Sequence, residues 1–409
     1  MVDVSNHKAR PSSIAQEFRS VVDGVITSRE RLFYVGLLCL VLSNTVNRIT
    51  LDASIKNPVV LILQLFTLAF YFAQFMLHKP KGITLLSTVA IGVLAALVGF
   101  VSRSYTLLWL VLTIVCADGA ELKRVAFVVL CGYLFVFVLT LVLVLFGVID
   151  NIVVVRGAGE GVRLSLGFNH PNQLGFFLVT MSCAYINVLF PNLTLWRLAP
   201  VLGAALVALF VADSRTSVIG MALLIVFCFA QSKVKSERQL RTTLISCAAV
   251  VVLCALGSIV LAAIYDDSNG VMFQISKLLS SRPYYSHYYF ENYPITLFGN
   301  NFSEAERIVR EGVDTTLLLD NAYCMLLLRH GIVGFCLLMT LSLCAFGRGA
   351  SELSGMSWAM GMALFSILGL SENAFIDVSV NFYLVGLISA LPGHTLGAFD
   401  PGREHSKME

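Results

Sequence analysis

Long apolar runs separated by short polar stretches dominate this chain. A helix needs about 20 residues to cross roughly 30 Å of hydrocarbon, and about twelve runs reach or approach that length. They lie at 32–49, 58–77, 83–101, 104–117, 125–149, 172–190, 195–212, 215–231, 243–265, 320–347, 354–370 and 378–392. The pattern predicts an all-α, polytopic membrane protein with about twelve transmembrane helices.

Polar stretches divide these runs into regions. Nine predicted helices occupy residues 32–265, and three more occupy residues 320–392. Residues 266–319 between them form one large hydrophilic loop, and residues 393–409 form a polar tail. Residues 1–31 carry apolar side chains at helical spacing, which is typical of an amphipathic helix lying along the inner membrane surface.

Basic residues mark the side on which each loop lies, because cytoplasmic loops are enriched in Lys and Arg. They lie before the first predicted helix and after the second, fourth and eighth, at Lys8, Arg10, Arg19, Arg29, Arg31, Lys79, Lys81, Lys123, Arg124, Lys233, Lys235, Arg238 and Arg241. This alternation predicts a multi-pass protein of the cytoplasmic (inner) membrane with both termini in the cytoplasm. The loop at 266–319 then faces outward.

Composition supports the membrane assignment and narrows the chemistry. Hydrophobic residues make up 57% of the chain and charged residues 13%, and the mean hydropathy is +0.82. The net charge of +3 comes from scattered residues, so no nucleic-acid partner is predicted. The histidines show no paired metal-ligand spacing and there is no phosphate-binding Walker loop, so neither a metal nor another cofactor is predicted. All ten cysteines lie in predicted spanning segments, which argues against a disulfide framework.

Three predicted helices, the sixth, eighth and tenth, begin at the outer face with polar residues. The sixth begins within "FNHPNQLG", where Pro171 suits the first helical position and His170 the cap. Asp213 or Ser214 is the capping candidate of the eighth, and Asp320 that of the tenth. Helix N-termini present free N–H groups and partial positive charge, so these ends could bind an anion or simply be capped.

Arginines near these helix starts are the candidates for anion binding. Arg215 lies in the first turn of the eighth helix, where a cation opposes the helix dipole, and guanidinium groups bind phosphate in a bidentate manner. Arg163 and Arg282 lie on outward segments and could converge with Arg215. The alternative is that Arg215 snorkels to the interface.

Further polar and aromatic residues leave two interpretations open. His170 and Asn172 could bind a ligand or satisfy the helix end, and Arg329 and His330 could face a cavity or a neighbouring helix. Glu372 is a candidate site acid or an ordinary loop acid. The aromatic residues after Arg282 either anchor the loop at the interface or stack on sugars; they are Tyr284, Tyr285, Tyr288, Tyr289, Phe290 and Tyr293.

Four motifs in this order resemble the O-antigen polymerase and ligase superfamily, the Wzy-type polysaccharide polymerases. They are "FNHPNQLG", "DSRTS", "SSRPYY" ahead of "LFGN", and "DNAYCMLLLRHGIVGF", and together they cover roughly residues 160 to 340. The resemblance implies a GT-C-like membrane fold. It also implies a metal-independent transfer of a glycan from polyprenyl pyrophosphate to a second glycan at the outer face.

By this resemblance, Arg215 and Arg282, with Arg163, bind the pyrophosphate and offset the charge of the leaving group. Asp320 is the candidate acceptor of the proton from the attacking hydroxyl, and Tyr323 of the last motif joins the substrate-binding candidates. The ligase branch tends to carry a histidine at about the position of Asp320, so the difference favours a polymerase.

The sequence therefore predicts a glycosyltransferase that polymerises oligosaccharide repeat units for capsule, exopolysaccharide or O-antigen. Its partners are the polyprenyl-pyrophosphate-linked oligosaccharide, the lipid bilayer and, as a potential partner, a chain-length regulator. An O-antigen-type ligase is the alternative enzyme. A lipid-linked oligosaccharide flippase or secondary transporter is the alternative of another class, although the chain shows no internal repeat of the kind common in such carriers.

Overall fold

The computed structural model describes residues 13–23, 27–78, 80, 82–155, 162–234, 236–279, 281–303, 305–310, 313–348 and 353–392. Most of them are helical. The α-helices are α1 (Ile14–Asp23), α2 (Ser28–Val46), α3 (Ala53–His78), α4 (Gly82–Ser102), α5 (Thr106–Cys116), α6 (Leu122–Leu145), α7 (Pro171–Leu189), α8 (Ala199–Phe210), α9 (Arg215–Lys233), α10 (Glu237–Ile264), α11 (Gly270–Leu278), α12 (Arg282–Asn292), α13 (Ala322–Arg348) and α14 (Leu353–Leu368). Short 3-10 helices lie at Leu195–Leu198, Asn373–Ile376 and Phe382–Ala390.

Seven helices in the described part of the chain are long and apolar enough to cross a membrane: α3, α4, α6, α7, α9, α10 and α13. This confirms the prediction of a mostly helical, multi-pass membrane protein. Shorter apolar helices occupy Thr106–Cys116, Leu195–Phe210 and Gly355–Leu368. The last predicted span is a 3-10 helix, Phe382–Ala390, rather than an α-helix. The count of twelve spans therefore stays a prediction.

Two antiparallel hairpins add a small strand content to the predicted all-α fold. Strands β1 (Val153–Val155) and β2 (Val162–Leu164) pair with Val154 opposite Arg163. Strands β3 (Ala305–Arg310) and β4 (Val313–Leu318) pair within the loop predicted at 266–319, which also contains α11 and α12. The large loop is therefore an ordered assembly of short elements in its described residues.

The chain divides into two compact units. The first comprises residues 1–79, 116–240 and 396–409, and the second comprises residues 80–115 and 241–395. Helix α7 belongs to the first unit and is the most buried of the seven membrane-capable helices: 78% of its most apolar 18-residue stretch is buried. Within the second unit, α13 packs against α4, α12 and the 3-10 segments that follow α14. It meets α14 through the rings of Phe346 and Trp358, whose centroids are 4.7 Å apart.

Helix α1 packs against other parts of the first unit, which refines the prediction that the N-terminal segment lies along the membrane surface. Its Glu17 carboxylate lies 2.9 Å from the Lys123 ammonium, and both side chains are 7% exposed. The other Glu17 oxygen accepts from the Asn192 amide at 2.8 Å. Only part of α1 is free to meet lipid, since Val21 is buried while Val22 is exposed.

The ten cysteines carry free thiols and all lie in helices. Five are buried, two are partly buried, and three are exposed on α6 and α13: Cys131, Cys336 and Cys344. The exposed thiols lie on two of the membrane-capable helices, where apolar surroundings are expected.

Candidate functional site

Arg163 joins two polar helix starts in the first unit. Its side chain is only 5% exposed, although strand β2 is short and lies at the edge of a two-stranded hairpin. Its Nε donates to the carbonyl oxygen of Ala212 at 2.9 Å, and its Nη2 donates to Oδ1 of Asn172. Arg163 thus ties the start of α7 to the link between α8 and α9.

His170 caps α7, as the sequence predicts, and Pro171 is the first helical residue. The backbone N–H of Asn172 donates to His170 Nδ1 at 3.1 Å, which requires that nitrogen to be unprotonated. Burial lowers the pKa of His170, and the nearby Arg163 guanidinium lowers it further. A neutral imidazole beside a cationic guanidinium is therefore the favoured state at the mouth of α7.

The start of α9 differs from the predicted capping scheme. Ser214 occupies the cap position, but its side chain makes no capping bond; its Oγ lies 2.8 Å from Oγ of Ser217 instead. Asp213 has a φ of 44°, the left-handed region, where the chain turns into the helix. Arg215 begins the helix with an exposed side chain, so it is accessible to solvent, lipid or a ligand.

Arg282 lies between two carboxylates in the second unit. Its Nη2 is 3.2 Å from Glu372 Oε1 and 3.7 Å from Asp320 Oδ2. The side chains are 11%, 17% and 30% exposed for Arg282, Glu372 and Asp320, so the group is mostly withdrawn from solvent without being closed off. We call these three residues the Arg282 cluster.

Local structure explains how the Arg282 cluster is assembled. Arg282 is the first residue of α12, and Pro283 follows it in the first turn, where its missing N–H has no cost. Asp320 precedes α13, and Glu372 lies just after the end of α14. The backbone N–H of Ala322 donates to the carbonyl of Gly369 at 2.9 Å, which brings the start of α13 to the end of α14.

The cap of α13 is Asn321, so the prediction that Asp320 caps this helix is wrong. Asn321 Oδ1 accepts from the N–H groups of Tyr323 and Cys324 at 3.0 and 3.1 Å. Its amide nitrogen donates to Ser258 Oγ at 3.0 Å and to the Leu370 carbonyl at 3.2 Å. Asn321 thus satisfies the helix end, and the Asp320 carboxylate lies beside Arg282 instead.

The predicted tyrosines fall into different environments. Tyr284 and Tyr285 are partly buried, with ring centroids 5.9 Å apart, and both pack against the apolar core that contains Tyr289. Tyr323 is fully buried, and its hydroxyl donates to the Ser366 carbonyl at 3.1 Å. The geometry of Tyr323 therefore fits a packing role better than contact with substrate.

The sequence predicts that Arg329 and His330 lie inside a continuous helix, and this is wrong: they lie at a break in α13. Gly331 has φ 72° and ψ −178°, which interrupts the helical path. The Arg329 guanidinium donates to the Phe302 carbonyl at 3.2 Å and lies 5.7 Å from the centre of the Phe302 ring. His330 is 1% exposed, and its Nδ1 has no hydrogen-bond partner among the described residues.

Two parts of this arrangement were not predicted from the sequence. Asn321 stands beside Asp320 in the "DN" pair, and Asn is as good a cap as Asp, so the residue types alone did not decide between them. The break at Gly331 had a weak signal, since a lone glycine in an apolar helix more often only lowers its stability.

The two groups of candidate residues belong to different units. Arg163, His170, Asn172 and Arg215 lie in the first, and Arg282, Asp320 and Glu372 lie in the second. The predicted convergence of the three arginines stays a prediction. In the described part of the chain, no group of three or more His, Cys, Asp and Glu side chains is placed to hold a metal ion. Comparison with protein-family models, curated proteins and solved structures finds no match to this chain.

Proposed function

We propose that this protein is a membrane glycosyltransferase that polymerises oligosaccharide repeat units carried on polyprenyl pyrophosphate. The Arg282 cluster is the observation that carries the proposal. It combines a guanidinium, suited to a phosphate leaving group, with a carboxylate suited to accept a proton from a sugar hydroxyl. The cytoplasmic membrane, with both termini in the cytoplasm and the cluster on the outer side, is part of the proposal.

The reaction follows from the chemistry of these groups. Asp320 accepts the proton of the acceptor hydroxyl as its oxygen attacks the anomeric carbon of the donor glycan. The bond between that carbon and the pyrophosphate oxygen breaks, and its electron pair leaves with the lipid pyrophosphate. Arg282 offsets the negative charge that grows on this leaving group. Arg215, whose side chain is exposed at the start of α9, stays a second candidate cation on the strength of the sequence resemblance alone.

Competition for Arg282 gives Glu372 a role in this scheme. Arg282 already pairs with two carboxylates, so an incoming pyrophosphate competes with at least one of them for the guanidinium. Glu372 is the proposed exchanging partner, because it makes the closer contact and so occupies the part of the guanidinium that the pyrophosphate needs, whereas the more exposed Asp320 is left for the acceptor.

The test is elongation by the purified protein supplied with lipid-linked repeat units, with the products separated on a gel. A ladder of products is the expected result for the wild type. Asp320→Asn should bind the donor but transfer nothing, and Arg282→Ala should fail to elongate. Asp266→Asn is the matched control, because Asp266 is an exposed acid of the same outer region whose contacts to Ser268 are local. Normal product length in Asp320→Asn removes that residue from the role of base.

A flippase or transporter is the second candidate, and the break in α13 favours it. Discontinuous helices with ionisable residues at the break are typical of substrate and ion sites in secondary transporters. The two candidates differ in where substrate accumulates in cells that depend on Arg282→Ala protein. Lipid-linked single repeats should collect on the outer side for the polymerase and on the inner side for the flippase. A ligase would leave repeat polymerisation intact and block only attachment to the final acceptor.

A further inference from the structure

A short segment of the outer region is inserted into the break in α13. Residues 296–300, which we call the wedge, lie against Gly331 within the second unit. A Cβ on Gly299 would lie 1.9 Å from the Arg329 carbonyl oxygen, and a Cβ on Gly331 would lie 2.3 Å from the Gly299 nitrogen. Both glycines have positive φ, 90° and 72°. No other residue fits this close approach without displacing backbone.

The wedge satisfies both broken ends of α13. On the side toward the C-terminus, the N–H groups of Ile332 and Val333 donate to the carbonyls of Thr296 and Leu297, each at 3.0 Å. On the other side, the Leu328 carbonyl accepts from the backbone N–H of Asn300 at 3.1 Å and from its side-chain amide at 2.9 Å. Unpaired backbone groups at a break inside an apolar helix are costly, so the break and the wedge depend on each other.

Asn300 also holds the wedge in shape. Its amide nitrogen donates to the Pro294 carbonyl at 2.7 Å, in addition to Leu328. Thr296 Oγ1 donates to the Gly299 carbonyl at 2.9 Å, which closes the wedge on itself. One asparagine side chain thus connects α13 to the residues that follow α12.

The segment just after the wedge fixes the far end of α12. Tyr289, which is fully buried, donates its hydroxyl hydrogen to the Ser303 carbonyl, 3.1 Å away. The rings of Tyr293 and Phe302 have centroids 4.6 Å apart. Arg329, at the break itself, donates to the Phe302 carbonyl. Residues 302–303 are therefore held to α13 on one side and to α12 on the other.

Arg282 stands at the opposite end of α12 from these contacts. Ten residue steps along an α-helix span about 15 Å, so a tilt of about 5° at Asn292 moves Arg282 by about 1.3 Å. A misplacement of about 1 Å can slow an enzyme about 100-fold. A tilt of this size would therefore change the distances from Arg282 to Glu372 and Asp320 enough to matter for transfer.

We propose that Asn300 and Arg329 are positioning residues, which hold α12 through the wedge and thereby keep Arg282 between Asp320 and Glu372. Their catalytic significance rests on the proposed function, whereas the mechanical link between wedge and α12 does not. Arg329 is assigned to this link, through Phe302, and not to direct contact with substrate.

Transfer kinetics test the catalytic part. Asn300→Ala should lower kcat on the order of 10- to 100-fold and change the donor KM much less, since Arg282 acts mainly on charge that develops in the transition state. Arg329→Lys keeps a cation near Phe302, so its kcat should fall less than that of Arg329→Met. Asn292→Ala is the matched control, because that amide donates within its own helix, to the Tyr288 carbonyl. Its kcat should match the wild type.

A double variant separates positioning from general damage. If Asn300 acts through Arg282, adding Asn300→Ala to Arg282→Lys should cost less than about twofold beyond Arg282→Lys alone, because coupled residues do not add. Independent, multiplicative losses in the double variant overturn the inference. An equal loss in Arg329→Lys and Arg329→Met also overturns the role given to its charge.

Hydrogen–deuterium exchange tests the mechanical link without any activity assay. Asn300→Ala should raise the amide exchange rates of Ile332, Val333 and the residues of α12 by about tenfold or more. Asn292→Ala should leave the exchange rates of Ile332 and Val333 at their wild-type values. Unchanged exchange along α12 in Asn300→Ala overturns the inference whatever the kinetics give. If the wild-type protein transfers no glycan, the proposed function is refuted. The hydrogen–deuterium exchange result then still tests the link between the wedge and α12.

Discussion

The ion pair between Glu17 and Lys123 provides the most direct test of how the first unit is held together. Replacing Lys123 by Met leaves the Glu17 carboxylate buried beside Asn192 and removes the Lys123 ammonium from it. At 2.9 Å the two charges attract by about 6 kcal/mol for an effective dielectric constant of about 20. Much of this is offset by desolvation, so we expect Lys123→Met to cost about 3–5 kcal/mol, the usual range for breaking a buried pair.

The double variant Glu17→Leu, Lys123→Met should recover most of that loss. Two apolar side chains of similar volume remove both buried charges, and such replacements are often neutral or stabilising. The pair between Arg29 and Asp118 is the matched control: its side chains are 28% and 14% exposed and Asn keeps an acceptor for Arg29, so Asp118→Asn should cost less than Lys123→Met.

Thermal unfolding in detergent, followed by intrinsic fluorescence, gives the rank order of these proteins. We expect the wild type and the double variant to melt at similar temperatures, Asp118→Asn slightly lower, and Lys123→Met lowest. Limited proteolysis should cleave the N-terminal segment first in Lys123→Met, because α1 is then released from α6. A Lys123→Met protein that melts with the wild type, or a double variant less stable than Lys123→Met, would refute the assignment of a buried, stabilising pair.

Three further predictions concern helix ends and packing. The folded-state pKa of His170 is lowered from its ordinary value of 6.5. The stability that the neutral His170 cap gives the fold is therefore fully present above pH 6.5 and is lost as the pH falls below it. Between about pH 7.5 and about pH 5.5, the melting temperature of the wild type should fall more than that of His170→Asn, whose cap does not titrate. Asn321→Ala should cost about 1–2 kcal/mol, because two N–H groups at the start of α13 lose their acceptor, and Asn321→Asp should recover part of this in the same melting assay. Gly175→Ala should cost about 1–3 kcal/mol, since the new Cβ would lie 2.6 Å from the Ser214 Cβ, and wild-type melting in that variant would contradict the close contact between α7 and α9.

Local chemistry was predictable from the sequence where it depends on adjacent residues. The start of α7 is an example, because Pro171 and His170 have position-specific preferences that act within one turn. Apolar length likewise predicted the membrane-capable helices. The cap of α13 was misassigned to Asp320, since adjacent Asp and Asn have nearly the same preference and the choice depends on what else each side chain meets.

Contacts between distant residues were not predictable in the same way. Arg282 and Glu372 are 90 positions apart, and Glu17 and Lys123 are 106 apart. Their side chains carry no sequence signal for partner choice, which depends on how the intervening helices pack. The contact between the "LFGN" segment and Gly331 could not be predicted for the same reason, because it too depends on how distant parts of the chain pack.

The positions of the free thiols allow the membrane topology to be tested by cysteine labelling without first removing the native cysteines. A membrane-impermeant maleimide reaches only thiols in contact with water and reacts with the thiolate. Cys131, Cys336 and Cys344 are exposed on membrane-capable helices, and the other seven are wholly or partly enclosed. A single cysteine placed at Asn269, which is exposed ahead of α11, should then label from outside intact cells, and one placed at Ser232 only after the cells are opened.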